Sequence, residues 1–186
     1  MTPVPSVDEL VQFLADCDGV FDSLGPDGDP IDILAHSLQC AHSLASRAPD
    51  DLELQIAGLV HDVGHVVDPT DPVGHGGVGA GYVGHLLGTR VARLVALHVP
   101  AKRYLVATDP RYAGRLSDGS AISLELQGGA MTADEIVAFE ADACATDAVR
   151  LRQADEAAKV IGRAVPGLDT WVPALRTVAA NRHANR

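Results

Sequence analysis

Cysteines and basic residues are scarce in this chain. The three cysteines, Cys17, Cys40 and Cys144, are widely spaced and odd in number, which argues against a disulfide framework and excludes a cysteine-based zinc site. The 14 lysines and arginines stand against 25 aspartates and glutamates, giving a formal net charge of −11. Because nucleic-acid binding needs cations that face phosphates, this balance disfavours nucleic acid as a partner.

Long apolar runs are also missing. No apolar stretch approaches the roughly 20 residues needed to cross a bilayer. Residues 1–6 lack the basic and then apolar pattern of a signal peptide. We therefore expect a cytoplasmic protein without a membrane partner.

The length and the apolar content are sufficient for one domain. The chain has 186 residues, of which 47% are hydrophobic, so it can bury a substantial core. We predict a single domain over residues 1–186, with its core at about 31–160. Residues 1–30 would form an N-terminal helix and a lid-like loop rich in Asp, Gly and Pro, and residues 163–186 would form a C-terminal tail.

Apolar residues recur at helical spacing along nearly the whole chain, and no segment convincingly alternates with the period of two that is typical of a strand. The sequence therefore predicts an all-α fold. Thr132 and Glu135 form a capping-box pattern at the start of one helix. The predicted helices cover residues 7–18, 31–48, 52–64, 78–87, 89–98, 132–142, 148–162 and 171–180.

Histidines and aspartates interrupt these apolar segments. His36 and His98 lie on core-facing stripes, and the pair His61-Asp62 lies within a predicted helix. Buried groups of this kind need compensating partners. One His-Asp pair alone is more simply a buried hydrogen bond, but several such residues together favour a centre with two metals. The six candidate ligands are His36, His61, Asp62, His75, His98 and Asp155.

Two of the candidates also have simpler interpretations. His75 lies in a Gly-rich stretch and would be unremarkable alone, and Asp155 could pair with Arg152 or Lys159 on its own helix. Imidazole and carboxylate ligands without thiolate suit iron, manganese or zinc. Six ligands leave open positions on two six-coordinate metals, which is typical of a catalytic centre.

The predicted centre carries a surplus of positive charge. Two divalent ions with two carboxylates would attract a dianion such as a phosphate or a phosphonate. Lys102 lies one turn after His98 and Arg152 lies one turn before Asp155, so both could donate to that anion. His65 lies one turn after His61 and would face the same cavity.

The pattern of His36, His61-Asp62 and Asp155 resembles the H…HD…D signature of the HD-domain superfamily, most of whose members are metal-dependent phosphohydrolases. A closer likeness, over about residues 31–160, is to the mixed-valent di-iron oxygenases that cleave organophosphonates. Myo-inositol oxygenase is a more distant relative. The segments that carry the closer likeness are His36–Ala41, Leu59–His65, His98–Leu105 and Leu126–Gly129.

This resemblance implies an all-α HD-domain helical bundle that holds an Fe(II)/Fe(III) pair and uses O2. It implies that His36, His61 and Asp155 hold one iron, that His75 and His98 hold the other, and that Asp62 bridges them. The residues implied to surround the phosphonate oxygens are His65, Lys102, Ser120, Ser123 and Arg152, with His65 and Lys102 also expected to act in catalysis.

The chain departs from the oxygenase that acts on 2-amino-1-hydroxyethylphosphonate. That enzyme has a tyrosine ligand about ten residues before its first ligand histidine and a glutamate that senses the substrate amine. Here Pro26 stands near the tyrosine position and the first tyrosine is Tyr82. Asp29 stands near the glutamate position and could meet a cationic amine, so the substituent on the substrate carbon stays open.

Three hypotheses of function follow. The first is an O2-dependent oxygenase that cleaves the C–P bond of a 1-hydroxyphosphonate and releases phosphate. The second is hydrolysis of a phosphate ester or nucleotide by metal-bound hydroxide, for which redox-inactive metals suffice. The third is a non-catalytic metal-binding or sensing module, which the open coordination positions disfavour. We favour the first, with a small-molecule organophosphonate as the partner and the oligomeric state left open.

Overall fold

The computed structural model describes residues 2–22 and 28–182, and this part of the chain contains helices and irregular segments but no strand. The all-α prediction is confirmed. Single 3-10 turns occur at Ala113–Arg115 and Leu168–Trp171. The α-helices are α1 Val7–Ala15, α2 Ile33–Arg47, α3 Leu52–Val60, α4 Gly64–Val67, α5 His75–Leu87, α6 Thr89–Thr108, α7 Asp118–Leu126, α8 Ala133–Glu140, α9 Ala145–Glu156 and α10 Val172–Asn181.

Helix α3 lies at the centre of the bundle. Every residue from Leu54 to Val60 is buried, as expected of a helix that is apolar on all sides. It packs against α2, α6, α9 and α10. Its N-cap, Asp51, accepts two hydrogen bonds of 2.7 Å from Arg90 on α6, and Arg90 also binds Asp147 on α9 at 2.8 Å. One guanidinium therefore joins three helices.

The two ends of the chain pack on this centre. Helix α10 contacts α1, α3 and α5, and the N–H of Val4 donates to the carbonyl of Tyr82 on α5 at 3.0 Å. The single domain over residues 1–186 stays a prediction, as does the lid, since part of the loop at 19–30, including Pro26, lies outside the described residues. None of the helices in the described ranges has the length and apolar run of a membrane span.

The chain turns at His61-Asp62, where the sequence predicted a continuous helix. Helix α3 ends at Val60, residues 61–63 form a turn, and α4 begins at Gly64. A Cβ on Gly64 would lie 1.9 Å from the carbonyl oxygen of His75. Gly64 allows α4 to lie against the start of α5, and the chain turns at residues 61–63 to reach this position. The predicted helix 52–64 was therefore wrong in its last turn.

Further helix bounds also differ from the prediction: α1 ends at Ala15 and not at residue 18, and α9 covers Ala145–Glu156 where a helix over 148–162 was predicted. His75 is the first residue of α5 and not part of a loop. Helix α6 continues past Pro100 to Thr108, because Ala101, Lys102 and Leu105 are buried against the bundle and tertiary packing outweighs the backbone hydrogen bond that the proline lacks. Lys102 is thereby held one helical turn from His98.

Candidate metal centre

Four histidines converge in two pairs. The Nε2 atoms of His36 on α2 and His61 after α3 lie 3.1 Å apart. The Nε2 atoms of His75 on α5 and His98 on α6 lie 2.9 Å apart. All four side chains are buried. The predicted imidazoles therefore lie close together, although the helices that carry them are distant in the sequence.

Asp62 lies between the two histidine pairs. Its Oδ2 is 3.3 Å from the Nε2 atoms of both His36 and His61. Its Oδ1 is 3.6 Å from Nε2 of His75 and 3.5 Å from Nε2 of His98. Each carboxylate oxygen therefore faces a different pair, an arrangement suited to bridging two cations.

Asp155 joins the first pair. Its Oδ1 lies 3.2 Å from Nε2 of His36 and 3.7 Å from Nε2 of His61. Its Oδ2 accepts a short hydrogen bond from Nη1 of Arg152. The expected pairing with Arg152 is thus present beside the contact with the histidines, whereas Lys159 pairs with another carboxylate. All six sequence-predicted ligands lie together.

The second ring nitrogen of each histidine fixes its tautomer. Each Nδ1 lies within hydrogen-bond distance of a backbone carbonyl, at 3.2, 2.9, 2.8 and 2.6 Å from Ala158, Gly58, Pro72 and Val95, respectively. Since a carbonyl only accepts, Nδ1 carries the proton and a neutral imidazole turns a lone pair outward on Nε2. Lone pairs about 3 Å apart repel unless a cation lies between them, so these residues fit metal ions.

The charges around the pairs also favour a cation. Burial lowers the pKa of His36, but Asp155 and Asp62 outweigh burial and raise it to about 10. The two carboxylates thus favour a positive charge at Nε2 of His36, which either a proton or a metal ion in its place would supply. Burial, and next His65 and His98, hold the pKa of His75 well below its ordinary value. A neutral imidazole of this kind can ligate a metal without first losing a proton.

A group of cations and hydroxyls lines the same cavity. Nζ of Lys102 donates to Oγ of Ser123 at 2.6 Å and lies 3.3 Å from the carbonyl oxygen of Ser120. Nη2 of Arg152 donates to Oγ of Ser120 at 2.9 Å. Lys102 is 3% exposed, and burial, followed by Arg152, lowers its pKa to about 7. These groups, which we call the cationic cradle (Lys102, Ser120, Ser123 and Arg152), could hold an anion beside the histidine pairs.

The remaining two candidates also reach the cavity. His65 stacks on His75, with ring centroids 3.9 Å apart and an angle of 20° between the rings. Oδ2 of Asp29 lies 2.5 Å from Nζ of Lys159 and accepts from Oγ of Ser117 at 3.1 Å. The carboxylate expected to meet a substrate amine is therefore engaged by a lysine of the protein.

Three residues of the cavity region were not identified from the sequence. Glu156 accepts hydrogen bonds from Arg152 and, at 3.0 Å, from Ser120. The Tyr112 hydroxyl accepts from Nε of Arg152 at 2.9 Å. Lys159 donates to Ser120 as well as to Asp29. The helical spacing of Arg152, Asp155 and Glu156 could have indicated one polar face, but no local signal connects that face with Tyr112.

The segment Gln127-Gly128-Gly129 positions α7. Gly128 and Gly129 adopt positive φ angles of 97° and 69°, a region that favours glycine. Nε of Arg103 donates to the carbonyl of Gly129 at 2.9 Å. The segment is therefore a turn fixed to α6, and it holds Ser120 and Ser123 of α7 opposite Lys102.

Comparison with known proteins agrees with this geometry. The HD domain, as a sequence family, matches residues 33–147. The chain belongs to the HD-domain family. This membership and the two histidine–carboxylate groups, His36-His61-Asp62 and Asp62-His75-His98, together indicate metal binding.

Two relatives of this HD-domain chain carry names that state an activity. It is 41% identical over 147 residues to the hydroxymethylphosphonate dioxygenase of Gimesia maris, covering 74% of this chain and 73% of that protein. It is 34% identical over 173 residues to the [1-hydroxy-2-(trimethylamino)ethyl]phosphonate dioxygenase (glycine-betaine-forming) of Leisingera caerulea, covering 87% and 85%. Protein L432 of Acanthamoeba polyphaga mimivirus is 29% identical over 150 residues, covering 74% and 67%. The predicted resemblance is confirmed.

Proposed function

We propose that this protein is a di-iron, O2-dependent oxygenase that cleaves the C–P bond of a 1-hydroxyphosphonate and releases phosphate. The observation that carries the proposal is the position of Asp62, whose two oxygens face two different histidine pairs beside the cationic cradle. The names of two relatives, both phosphonate dioxygenases, support the reaction.

The distances support the following ligand assignment. His36, His61 and Asp155 would hold one metal, His75 and His98 the other, and Asp62 would bridge them. The metals would be iron, which suits both the donors and an O2-dependent reaction like those for which the two relatives are named. The Fe(II)/Fe(III) state is what the resemblance to the mixed-valent di-iron oxygenases implies. When bound, the iron pair supplies the one-electron chemistry with O2 that amino-acid side chains cannot perform.

The chain itself binds and orients the substrate. Lys102 and Arg152 donate to the phosphonate oxygens, and the hydroxyls of Ser120 and Ser123 can turn toward the same anion. His65, held flat against His75, supplies a further donor at the cavity wall. A phosphonate held by the cradle presents its C1 hydroxyl to the adjacent histidine pairs, so the bond to be cleaved lies between the two halves of the site.

Lys102 of the cationic cradle can hold and transfer a proton during the reaction. A 1-hydroxyphosphonate and one O2 together contain all the atoms of a carboxylate, hydrogen phosphate and one released proton, so no further oxidant is needed. The pKa of Lys102 is about 7 in the free site, and an arriving dianion favours the ammonium form. Lys102 therefore binds the phosphonate as a cation and can pass a proton to the departing phosphate.

The test is O2 uptake with simultaneous phosphate release, using protein that has been loaded with iron anaerobically. With hydroxymethylphosphonate we expect equal amounts of O2 consumed and phosphate formed, and neither with protein loaded with zinc or manganese. Phosphate released from phosphate esters by the manganese form without O2 would instead identify a phosphohydrolase. Two bound irons with no effect of any hydroxyphosphonate on O2 uptake would also refute the proposal.

A further inference from the structure

We infer that the ion pair of Lys159 and Asp29 selects substrates by charge, so that the site takes a 1-hydroxyphosphonate whose C1 substituent bears no positive charge and rejects one bearing an ammonium group. The inference rests on the proposed function for the reaction. It concerns a lysine that lies outside the cationic cradle and the candidate ligands. It names a substrate class within that function.

The ion pair is built into the cavity wall. Nζ of Lys159, just after α9, lies 2.5 Å from Oδ2 of Asp29, 2.9 Å from Oγ of Ser117 and 2.6 Å from Oγ of Ser120. The side chains of Lys159 and Asp29 are each only 14% exposed, and both residues line the cavity. A largely buried ion pair with these additional hydrogen bonds is held in a fixed position.

The backbone around Asp29 also limits its movement. A Cβ on Gly119 of α7 would lie 3.0 Å from the backbone nitrogen of Asp29 and 3.1 Å from its Oδ2. Oγ of Ser117, the N-cap of α7, donates to the same oxygen at 3.1 Å. Asp29 is thus packed against α7 and cannot move toward a ligand without breaking these contacts.

The position of Lys159 makes this wall unfavourable for a second cation. Oγ of Ser120 is hydrogen-bonded by both Lys159 and Arg152, and Lys102 lies against the Ser120 carbonyl. A substrate ammonium that reached Asp29 would share one carboxylate with Lys159 and meet its charge at close range. Because Lys159 and Asp29 are largely buried, such a repulsion is stronger than it would be in bulk water, whereas an uncharged or anionic group avoids it.

Asp22 is a further carboxylate among the described residues that line the cavity, outside the candidate ligands, and could compete as an ammonium site. Substituting Asp22 therefore has to accompany any test of Asp29. The names of two relatives include both kinds of substrate, a hydroxymethylphosphonate without a charged substituent and a phosphonate that bears a trimethylamino group.

The test compares two substrates of equal shape. In 1-hydroxy-2-(trimethylammonio)ethylphosphonate a nitrogen carries the charge, and in 1-hydroxy-3,3-dimethylbutylphosphonate a carbon replaces it. For the iron-loaded full chain we expect kcat/KM to favour the neutral compound by at least ten-fold. Lys159→Met should shift this ratio at least ten-fold toward the cation, because Asp29 becomes available. The difference in hydration between the compounds is the same for every variant, so the shift in the ratio is diagnostic.

Three control variants separate charge from shape. Lys159→Arg keeps the charge and should retain the wild-type ratio. The double variant Asp29→Asn/Lys159→Met removes both charges and should abolish the gain for the cation, and Asp22→Asn should leave the wild-type ratio unchanged. A wild-type preference for the cation, or a ratio that Lys159→Met does not change, would overturn the inference.

Binding gives a second readout that does not depend on turnover. Dissociation constants of both compounds for the zinc-loaded protein, measured by calorimetry, should show the same preference and the same shift in Lys159→Met. If neither compound is oxidised but the binding ratios behave as expected, the oxygenase proposal fails and the charge selection stands. If both compounds are oxidised but Lys159→Met leaves the ratios unchanged, the charge selection fails and the oxygenase proposal stands.

Discussion

Replacing Lys102 by methionine should stabilise the protein while it weakens phosphonate binding. Lys102 is 3% exposed, and burial lowers the pKa of its ammonium from 10.5 to about 7. That shift corresponds to about 5 kcal/mol of lost native-state stability at pH values below 7. The hydrogen bonds of Nζ to Ser123 and Ser120 return about 1 kcal/mol each. Lys102→Met should therefore gain about 3 kcal/mol, or roughly 6–12 °C in Tm for a chain of this size.

The pH dependence of this gain has a definite sign. Because the pKa of Lys102 is lower in the folded than in the unfolded chain, the native state binds fewer protons between pH 7 and 10.5. The stability of the wild type therefore rises with pH across that window relative to the methionine variant. The difference in Tm should be largest at pH 7 and below and should shrink steadily toward pH 10. Bound metal cations would lower the pKa of Lys102 further, so in the metal-loaded protein the difference would keep this sign and would continue to grow below pH 7.

The assay is thermal unfolding of the metal-loaded wild type and variant between pH 6.5 and 9.5 in phosphate-free buffer, with metal content measured in parallel. Lys159→Met is the matched control, because Lys159 is paired with Asp29 and its loss should not stabilise the protein. A Lys102→Met protein that unfolds below the wild type at every pH, with both metals retained, would refute the reasoning. So would a gain that does not vary with pH.

Other substitutions test the remaining parts of the site. Asp62→Ala should leave at most one metal per chain in elemental analysis, whereas Asp134→Ala on an exposed helix face should not; two metals in Asp62→Ala would disprove the bridge. Gly64→Ala should cost roughly 1–3 kcal/mol in urea unfolding, because its Cβ would meet the His75 carbonyl at 1.9 Å, while Gly77→Ala, with nothing within 4 Å, should cost nothing. Arg103→Met should raise KM for the phosphonate several-fold at unchanged iron content, with Arg103→Lys closer to the wild type; loss of iron would reject a role confined to positioning α7.

Hydrophobic periodicity predicted the helices that bury an apolar stripe, but it did not predict a helix that has no such stripe. Helix α2 and helix α10 lie within a few residues of their predicted bounds, and the capping box at Thr132 is present. Helix α7 was missed because its only buried residues are Gly119 and Ser120. The turn at His61-Asp62 was missed because it depends on the contact between α4 and α5, which local sequence does not encode.

The candidate metal ligands could be predicted from their residue types in the sequence, whereas the ion pair of Asp29 and Lys159 could not. A histidine on a core-facing stripe, as at His36 and His98, is visible in one sequence because its burial needs compensation. Asp29 and Lys159 are 130 residues apart in the sequence, so nothing in the sequence shows that their side chains meet. The resemblance implied that Asp29 could meet a substrate amine, and only the arrangement of the folded chain indicates that a lysine already engages this carboxylate.

Arg152 connects the two halves of the site. Its Nη1 donates to Oδ2 of Asp155, whose Oδ1 faces His36 and His61, while its Nη2 donates to Ser120 in the cradle. Burial raises the pKa of Asp155, but Arg152 and the histidines hold it well below its ordinary value, so this carboxylate stays ionised. Because one guanidinium contacts both Asp155 and Ser120, we expect the affinity for a metal ion and the affinity for a phosphonate to be coupled through Arg152. A cation at His36 and His61 and an anion in the cationic cradle attract each other, so by reciprocity each should strengthen the binding of the other.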